Sequence, residues 1–139
     1  MAELTIKGLA HVCLGVSDVE RALAFYRDKL GFRPAYDFVS DKGEKIGQCL
    51  HLGGRTFLEF FRSSQPPPAG HPHFCLEVDD IKAAVAELRR RGVQVGEIGK
   101  GSDRSWQVWL ADPDGNRIEL HQFTPDSLQV KALERLATA

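Results

Sequence analysis

His73-Phe74-Cys75-Leu76-Glu77-Val78-Asp79-Asp80 decides the fold, because the chain has already passed through this stretch once. A shift of 62 positions lays His11-Val12-Cys13-Leu14-Gly15-Val16-Ser17-Asp18 over it, and seven of the sixteen pairs through Tyr26 and Leu88 are identical. Unrelated stretches of ordinary composition would share about one. The chain therefore reads as two copies of one supersecondary unit, each opening on a histidine.

Outward from the first histidine, residues 8 to 16 alternate with the period of a strand. Val12, Leu14 and Val16 fall on one face, and His11, Cys13 and Gly15 on the other. Ser17 reads as a helix N-cap, with Glu20 completing a capping box. Val19, Ala22, Leu23, Phe25, Tyr26 and Leu30 then recur at helical spacing up to Gly31. Strands are expected at 32–39, 45–52 and 55–62, punctuated by Asp41-Lys42-Gly43 and Gly53-Gly54. The first module, residues 6–62, is thus a βαβββ unit.

Residues 63–72, with Pro66-Pro67-Pro68 and Gly70, form a linker. The second module, 73–123, repeats the plan. A strand is expected from about 72 to 78, and a helix from about 80 to 91 closed by Gly92. Strands follow at 93–98, 105–111 and, after the turn Asp112-Pro113-Asp114-Gly115-Asn116, at 117–123. In the tail, 124–139, a short amphipathic helix is expected over 125–137, with Leu128, Val130, Leu133 and Leu136 as its apolar positions.

Bulk properties narrow the function. The 139 residues are 42% hydrophobic and 27% charged, as in ordinary globular proteins. With net charge −1 and scattered basic residues, there is no electrostatic footprint of nucleic-acid binding. No apolar run has the length of a membrane span. Met1-Ala2-Glu3-Leu4 lacks the character of a signal peptide. Three cysteines, 13, 49 and 75, form no CxxC and cannot all pair, so a reduced, cytoplasmic setting is expected.

Each copy also carries a glutamate inside its last strand: Glu59 in Phe57-Leu58-Glu59-Phe60-Phe61, and Glu119 in Arg117-Ile118-Glu119-Leu120-His121. A carboxylate among such neighbours is costly to bury unless paired or bound to a cation. One histidine at a strand start is more often structural, and one strand glutamate more often faces solvent. Four such residues at equivalent places of a repeat favour a metal site. If the copies are pseudo-symmetric, His11, Glu59, His73 and Glu119 converge on one divalent transition ion: Ni, Zn, Co, Mn or Fe. Positions left open on that ion would take substrate oxygens, and Glu119 or Glu59 would serve as the base. Phe57 and Phe61 share the face of Glu59 and would wall a substrate pocket. Cys13, Cys75 and His121 share faces with the metal donors and would line it. One of Trp106 and Trp109 should wall it from the neighbouring strand, while His51 and His71 beside turns are expected to be exposed.

These pieces resemble the vicinal-oxygen-chelate superfamily, also called the glyoxalase/bleomycin-resistance/extradiol-dioxygenase proteins. The resemblance rests on residues 11–18, Ala22-Leu23-Ala24-Phe25-Tyr26-Arg27-Asp28-Lys29-Leu30-Gly31-Phe32, residues 73–78 and Asp112-Pro113-Asp114-Gly115-Asn116-Arg117-Ile118-Glu119-Leu120. It covers about residues 6–123 and implies an α+β fold: paired βαβββ modules forming a partly open barrel around the metal. It further implies a homodimer and a small-molecule substrate whose two adjacent oxygens chelate the metal, so that an enediolate-like intermediate is stabilised.

The four donors match the His, Glu, His, Glu set of glyoxalase I. Extradiol dioxygenases lack the carboxylate at the position of Glu59, methylmalonyl-CoA epimerases usually have glutamine there, and metal-free antibiotic-binding members lose the donors altogether. The resemblance stops short of the glutathione clamp. Gly15 stands where bacterial glyoxalase I carries an arginine, and Ser63 where it carries an asparagine; Arg62 and Arg104 are the basic residues placed to compensate. The expectation is a glyoxalase-like metal-dependent lyase, isomerase or epimerase. The alternatives are a non-enzymatic small-molecule binding protein of the resistance type and, less in keeping with the second carboxylate, an Fe(II) extradiol-type dioxygenase.

Overall fold

The structure, a computed structural model, describes residues 5–137. The residues read above for a leader, 1–4, and the last two of the tail lie outside that range. The chain divides into two units, one ending at Pro67 and the other beginning at Pro68.

In the first unit, β1 (His11–Val16) leads through a helix to β2 (Arg33–Val39), β3 (Lys45–Gly53) and β4 (Thr56–Arg62). The sheet order is β1-β4-β3-β2, open at both edges, with β1 parallel to β4 and the rest antiparallel. A parallel pair needs a crossover, which the helix and hairpins supply. The helix begins one residue later than the capping-box reading. Asp18, not Ser17, is the N-cap and accepts from the Arg21 N–H at 3.0 Å. Glu20, instead of closing a box, pairs with Lys45 at 3.2 Å. From α1 (Val19–Leu23) the chain widens into a π-helical stretch, Ala24–Lys29, where the Leu30 N–H reaches back to the Phe25 carbonyl at 3.1 Å. Phe25 and Tyr26 are both buried there. Gly31 then reverses the chain at φ 80°, a conformation that favours glycine. Tyr26 stacks on Phe60 of β4 at 5.7 Å, and with Val16, Leu50 and Leu58 these residues form the core of the unit.

The second unit repeats the order with β5 (Phe74–Glu77), α2 (Ile81–Arg90), β6 (Gly99–Lys100), β7 (Trp106–Ala111) and β8 (Arg117–Gln122). Its sheet order is β5-β8-β7-β6, with β5 parallel to β8. Asp80 caps α2 by accepting from the Ala83 N–H at 3.1 Å, and Ile81, Val85 and Leu88 bury its inner stripe. The strand expected at 93–98 does not form. Arg89 reaches across and donates to the Val95 and Gly96 carbonyls at 3.2 and 2.9 Å, so these acceptors are spent before a ladder can use them. Gly96 still donates its N–H to the Trp109 carbonyl of β7 at 2.9 Å, but in this stretch the ladder with β7 is confined to Gly99 and Lys100. The C-terminal helix, α3 (Leu128–Ala137), starts three residues later than the sequence suggested, and Leu128, Leu133 and Leu136 on it are exposed.

The turn before β8 is built on one carboxylate. Asp112 accepts through its side chain from the Asp114 and Asn116 N–H groups at 2.9 Å and from the Asn116 side-chain amide at 2.8 Å. Asp112 and Asn116 are both buried, and Gly115 takes φ 91°. This turn holds β7 and β8 in the register that sets Trp109 opposite Glu119. Asp112→Ala strips three donors of a charged acceptor and is expected to cost about 2–3 kcal/mol; urea denaturation measures it, and an unchanged midpoint would refute this role.

Candidate metal and substrate site

In the first unit, the parallel register of β1 with β4 sets Cys13 opposite Glu59 and His11 opposite Phe57. Alternation along β4 sends Leu58 and Phe60 into the core and leaves Phe57, Glu59 and Phe61 together on the other face, half-buried. There His11 Nε2 comes within 3.6 Å of Glu59 Oε1. Phe61 packs on Phe38 at 4.4 Å and Phe57 on the ring of His51 at 5.3 Å, so both are held beside the glutamate. His51 is half-buried and not exposed as expected, because Nε2 bonds the Gly54 carbonyl at 2.9 Å and closes the turn. Burial and the charge of Glu59 raise the Cys13 thiol above its usual range.

The second unit builds the equivalent pair. His73 precedes β5, and β5 lies against β8 with Cys75 opposite Glu119. His73 Nδ1 lies 2.6 Å from the His71 carbonyl, which accepts its hydrogen bond, and Nε2 is turned toward Glu119. That Nε2 lies 3.9 Å from Glu119 Oε1. Trp109, and not Trp106, belongs to this face: its ring meets His73 edge-on at 4.8 Å and carries the Arg117 guanidinium at 4.3 Å. Trp106 instead lies under Lys100.

Glu119 and His121 are both buried, and His121 Nε2 lies 2.7 Å from Glu119 Oε1. His121 Nδ1 faces Asp103 at 3.7 Å. Asp103 is held in turn by the Gln129 amide at 2.7 Å and the Ser105 N–H at 3.0 Å, and chiefly through Gln129 its carboxyl stays below the ordinary range. Burial, the Glu119 charge and a hydrogen bond to Glu119 push the Cys75 thiol up to about 12.

Asp103, Gln129 and Trp109 are therefore the site neighbours that sequence reasoning missed or left undecided. The first two stand far from Glu119 along the chain and in no motif. Of the two arginines placed to compensate for a missing glutathione clamp, Arg62 is spent on Glu44 at 2.7 Å. Arg104 occupies the left-handed region at φ 68°, and its carbonyl accepts from the Thr124 hydroxyl at 3.0 Å.

One His–Glu pair thus recurs in each of the repeated units. Residues 8–120 match the model of the Glyoxalase/Bleomycin resistance protein/Dioxygenase superfamily. The chain belongs to this superfamily. Among its superfamily relatives is the uncharacterized protein YaeR of Escherichia coli K12, 30% identical over 127 residues that cover 86% of this chain and 98% of YaeR. The mitochondrial methylmalonyl-CoA epimerase of Homo sapiens is 32% identical over 131 residues, covering 82% of this chain and 73% of the epimerase. In structure, the antibiotic-binding protein TnmS3 of Streptomyces sp. CB03234 matches with TM-score 0.74 and 29% identity, covering 88% of this chain and all of TnmS3. The proteins similar to this chain thus include both an enzyme and an antibiotic-binding protein. The residues present fit a divalent ion, since each unit offers one carboxylate charge and one imidazole within a ligand's spacing of each other.

Proposed function

We propose that this superfamily member is a glyoxalase-like divalent-metal enzyme that moves a proton beside a carbonyl in a small substrate with two adjacent oxygens. His11, Glu59, His73 and Glu119 are its metal donors. The observation that carries the reading is the recurrence of one His–Glu pair per unit, at 3.6 and 3.9 Å, with a cysteine as the register partner of the glutamate in both. One such pair offers two donors, fewer than the four a transition ion takes from its surroundings, so the reading requires both pairs on one ion.

The bound ion would polarise the two substrate oxygens and lower the cost of the negative charge that develops on them. The chain's own groups do the rest. A carboxylate of the pair, Glu119 or Glu59, takes the proton from carbon and returns it. Phe57 and Phe61 present apolar faces beside Glu59 and limit water there. The hydrogen bond from His73 Nδ1 to the His71 carbonyl orients the ring so that Nε2 points for ligation. This chemistry covers isomerisation, epimerisation and lyase reactions alike.

A second reading, a small-molecule binding protein without turnover, is favoured by the likeness to TnmS3. Metal content separates the two. The purified chain is expected to hold near-stoichiometric Ni, Zn, Co, Mn or Fe by mass spectrometry, and a Glu59→Gln/Glu119→Gln double variant to hold none. Turnover on a panel of dicarbonyls and 2-hydroxy acids should depend on that metal. Absence of metal from both proteins, even after reconstitution, would leave the binding-protein reading in place.

A further inference from the structure

The second unit contains donors that the four-residue set does not use. Cys75 Sγ, Glu119 and His121 offer three ligand atoms that all lie within 4.8 Å of one another. Metal bonds of about 2.0–2.3 Å separate neighbouring donors by about 3–4 Å, so small side-chain adjustments bring these atoms to ligating distance. The strands impose this grouping. Cys75 and Glu119 are register partners on β5 and β8, and His121 follows Glu119 by two residues on the same face.

The His121 ring is the telling feature. Its Nε2 is buried and makes no hydrogen bond, although Glu119 Oε1 stands 2.7 Å away, so the carboxylate approaches off the N–H axis. Its other nitrogen faces the Asp103 carboxylate at 3.7 Å. A cation bonded to both Nε2 and the Glu119 oxygen would satisfy the buried nitrogen and the carboxylate charge together. Carboxylate, histidine and metal in line is the usual way a protein orients a ligating imidazole. Here the carboxylate is fixed from α3 by Gln129.

The first unit has no counterpart of His121, because Phe61 stands sixty positions before it.

We propose that Cys75, Glu119 and His121 form a binding site for a thiophilic divalent ion such as Zn(II), Co(II) or Cd(II), complete within the second unit. Binding forms the sulfur–metal bond as the thiol proton passes to solvent, and Asp103 acts as the positioning residue for His121. The site shares Glu119 with the proposed catalytic set but draws nothing from the first unit.

The test uses the full chain carrying His11→Ala/Glu59→Gln, kept reduced and titrated with Co(II). One equivalent is expected to bind with a near-ultraviolet thiolate-to-cobalt charge-transfer band. Cys75→Ser, which keeps the side chain's size, should abolish that band with the circular dichroism unchanged. Asp103→Asn should keep the band and weaken binding about 10–100-fold. No band, or a band that survives Cys75→Ser, overturns the proposal. Co(II) binding to the unsubstituted chain without the band leaves the four-donor reading standing and removes this one. A band together with a metal affinity indifferent to His11 and Glu59 does the reverse.

Discussion

Glu119→Gln is expected to abolish metal retention and to lower any metal-dependent turnover by about 10²–10⁴-fold, while the fold survives. Glutamine fills nearly the same volume, so the packing of β8 against its neighbours is not disturbed. What disappears is the charge. Glu119 stands within 2.7 Å of His121 and 3.9 Å of His73, in a buried position where no other described carboxylate is as close to both rings. Removing an outer partner of a metal ligand already costs about 10–100-fold in affinity, and removing a ligand that also moves the proton should cost more. Glu59→Gln should act in the same direction but less on folding, because Glu59 is only half-buried. Metal analysis, Co(II) titration and turnover of the two variants check this. A Glu119→Gln protein that keeps its metal and its rate would remove Glu119 from the site altogether.

The architecture was readable because period and repetition are local properties. His11 and His73 announce the two units, and period-two alternation around Glu59 and Glu119 already separates core from site. Phe60 and Leu58 are fully buried, while Phe57, Glu59 and Phe61 share the opposite face. What the sequence did not reveal depends on partners brought from elsewhere. The strand expected at 93–98 was lost to Arg89, whose guanidinium takes the carbonyls that a ladder needs. The helix start moved one residue because an aspartate followed the serine, and its carboxylate reaches the Arg21 N–H.

The site shows the same limit. Trp106 and Trp109 lie three apart on one strand and therefore face opposite ways. Only the register set by the Asp112 turn decides which of them meets His73. The link from Glu119 through His121 and Asp103 to Gln129 joins a strand, a loop and a helix, so no spacing in the chain records it. It also gives α3 a part in the site. Its first turn holds Asp103 by the Leu128 N–H on the backbone and the Gln129 amide on the side chain.

Phe60→Ala should destabilise the first unit by about 3–5 kcal/mol, among the largest losses any single truncation can cause here. Phe60 is fully buried at the centre of the sheet, on the face away from Glu59. Its ring stacks on Tyr26, itself fully buried, so the truncation removes the contact that fastens the helix to β4. The cavity has little means of collapse. Neighbouring Leu58 and Leu50 are held in strands by their ladders, and Tyr26 is already stacked on Phe32 at 6.3 Å. Loosening β4 would in turn free Glu59 and blunt metal binding, linking core to site. Denaturation followed by far-ultraviolet circular dichroism should show an early transition assigned to the first unit, with the second unit unfolding as before. A loss below about 1 kcal/mol would mean that the helix is fastened by other residues, with Val19, Ala22 and Leu23 as the next to truncate.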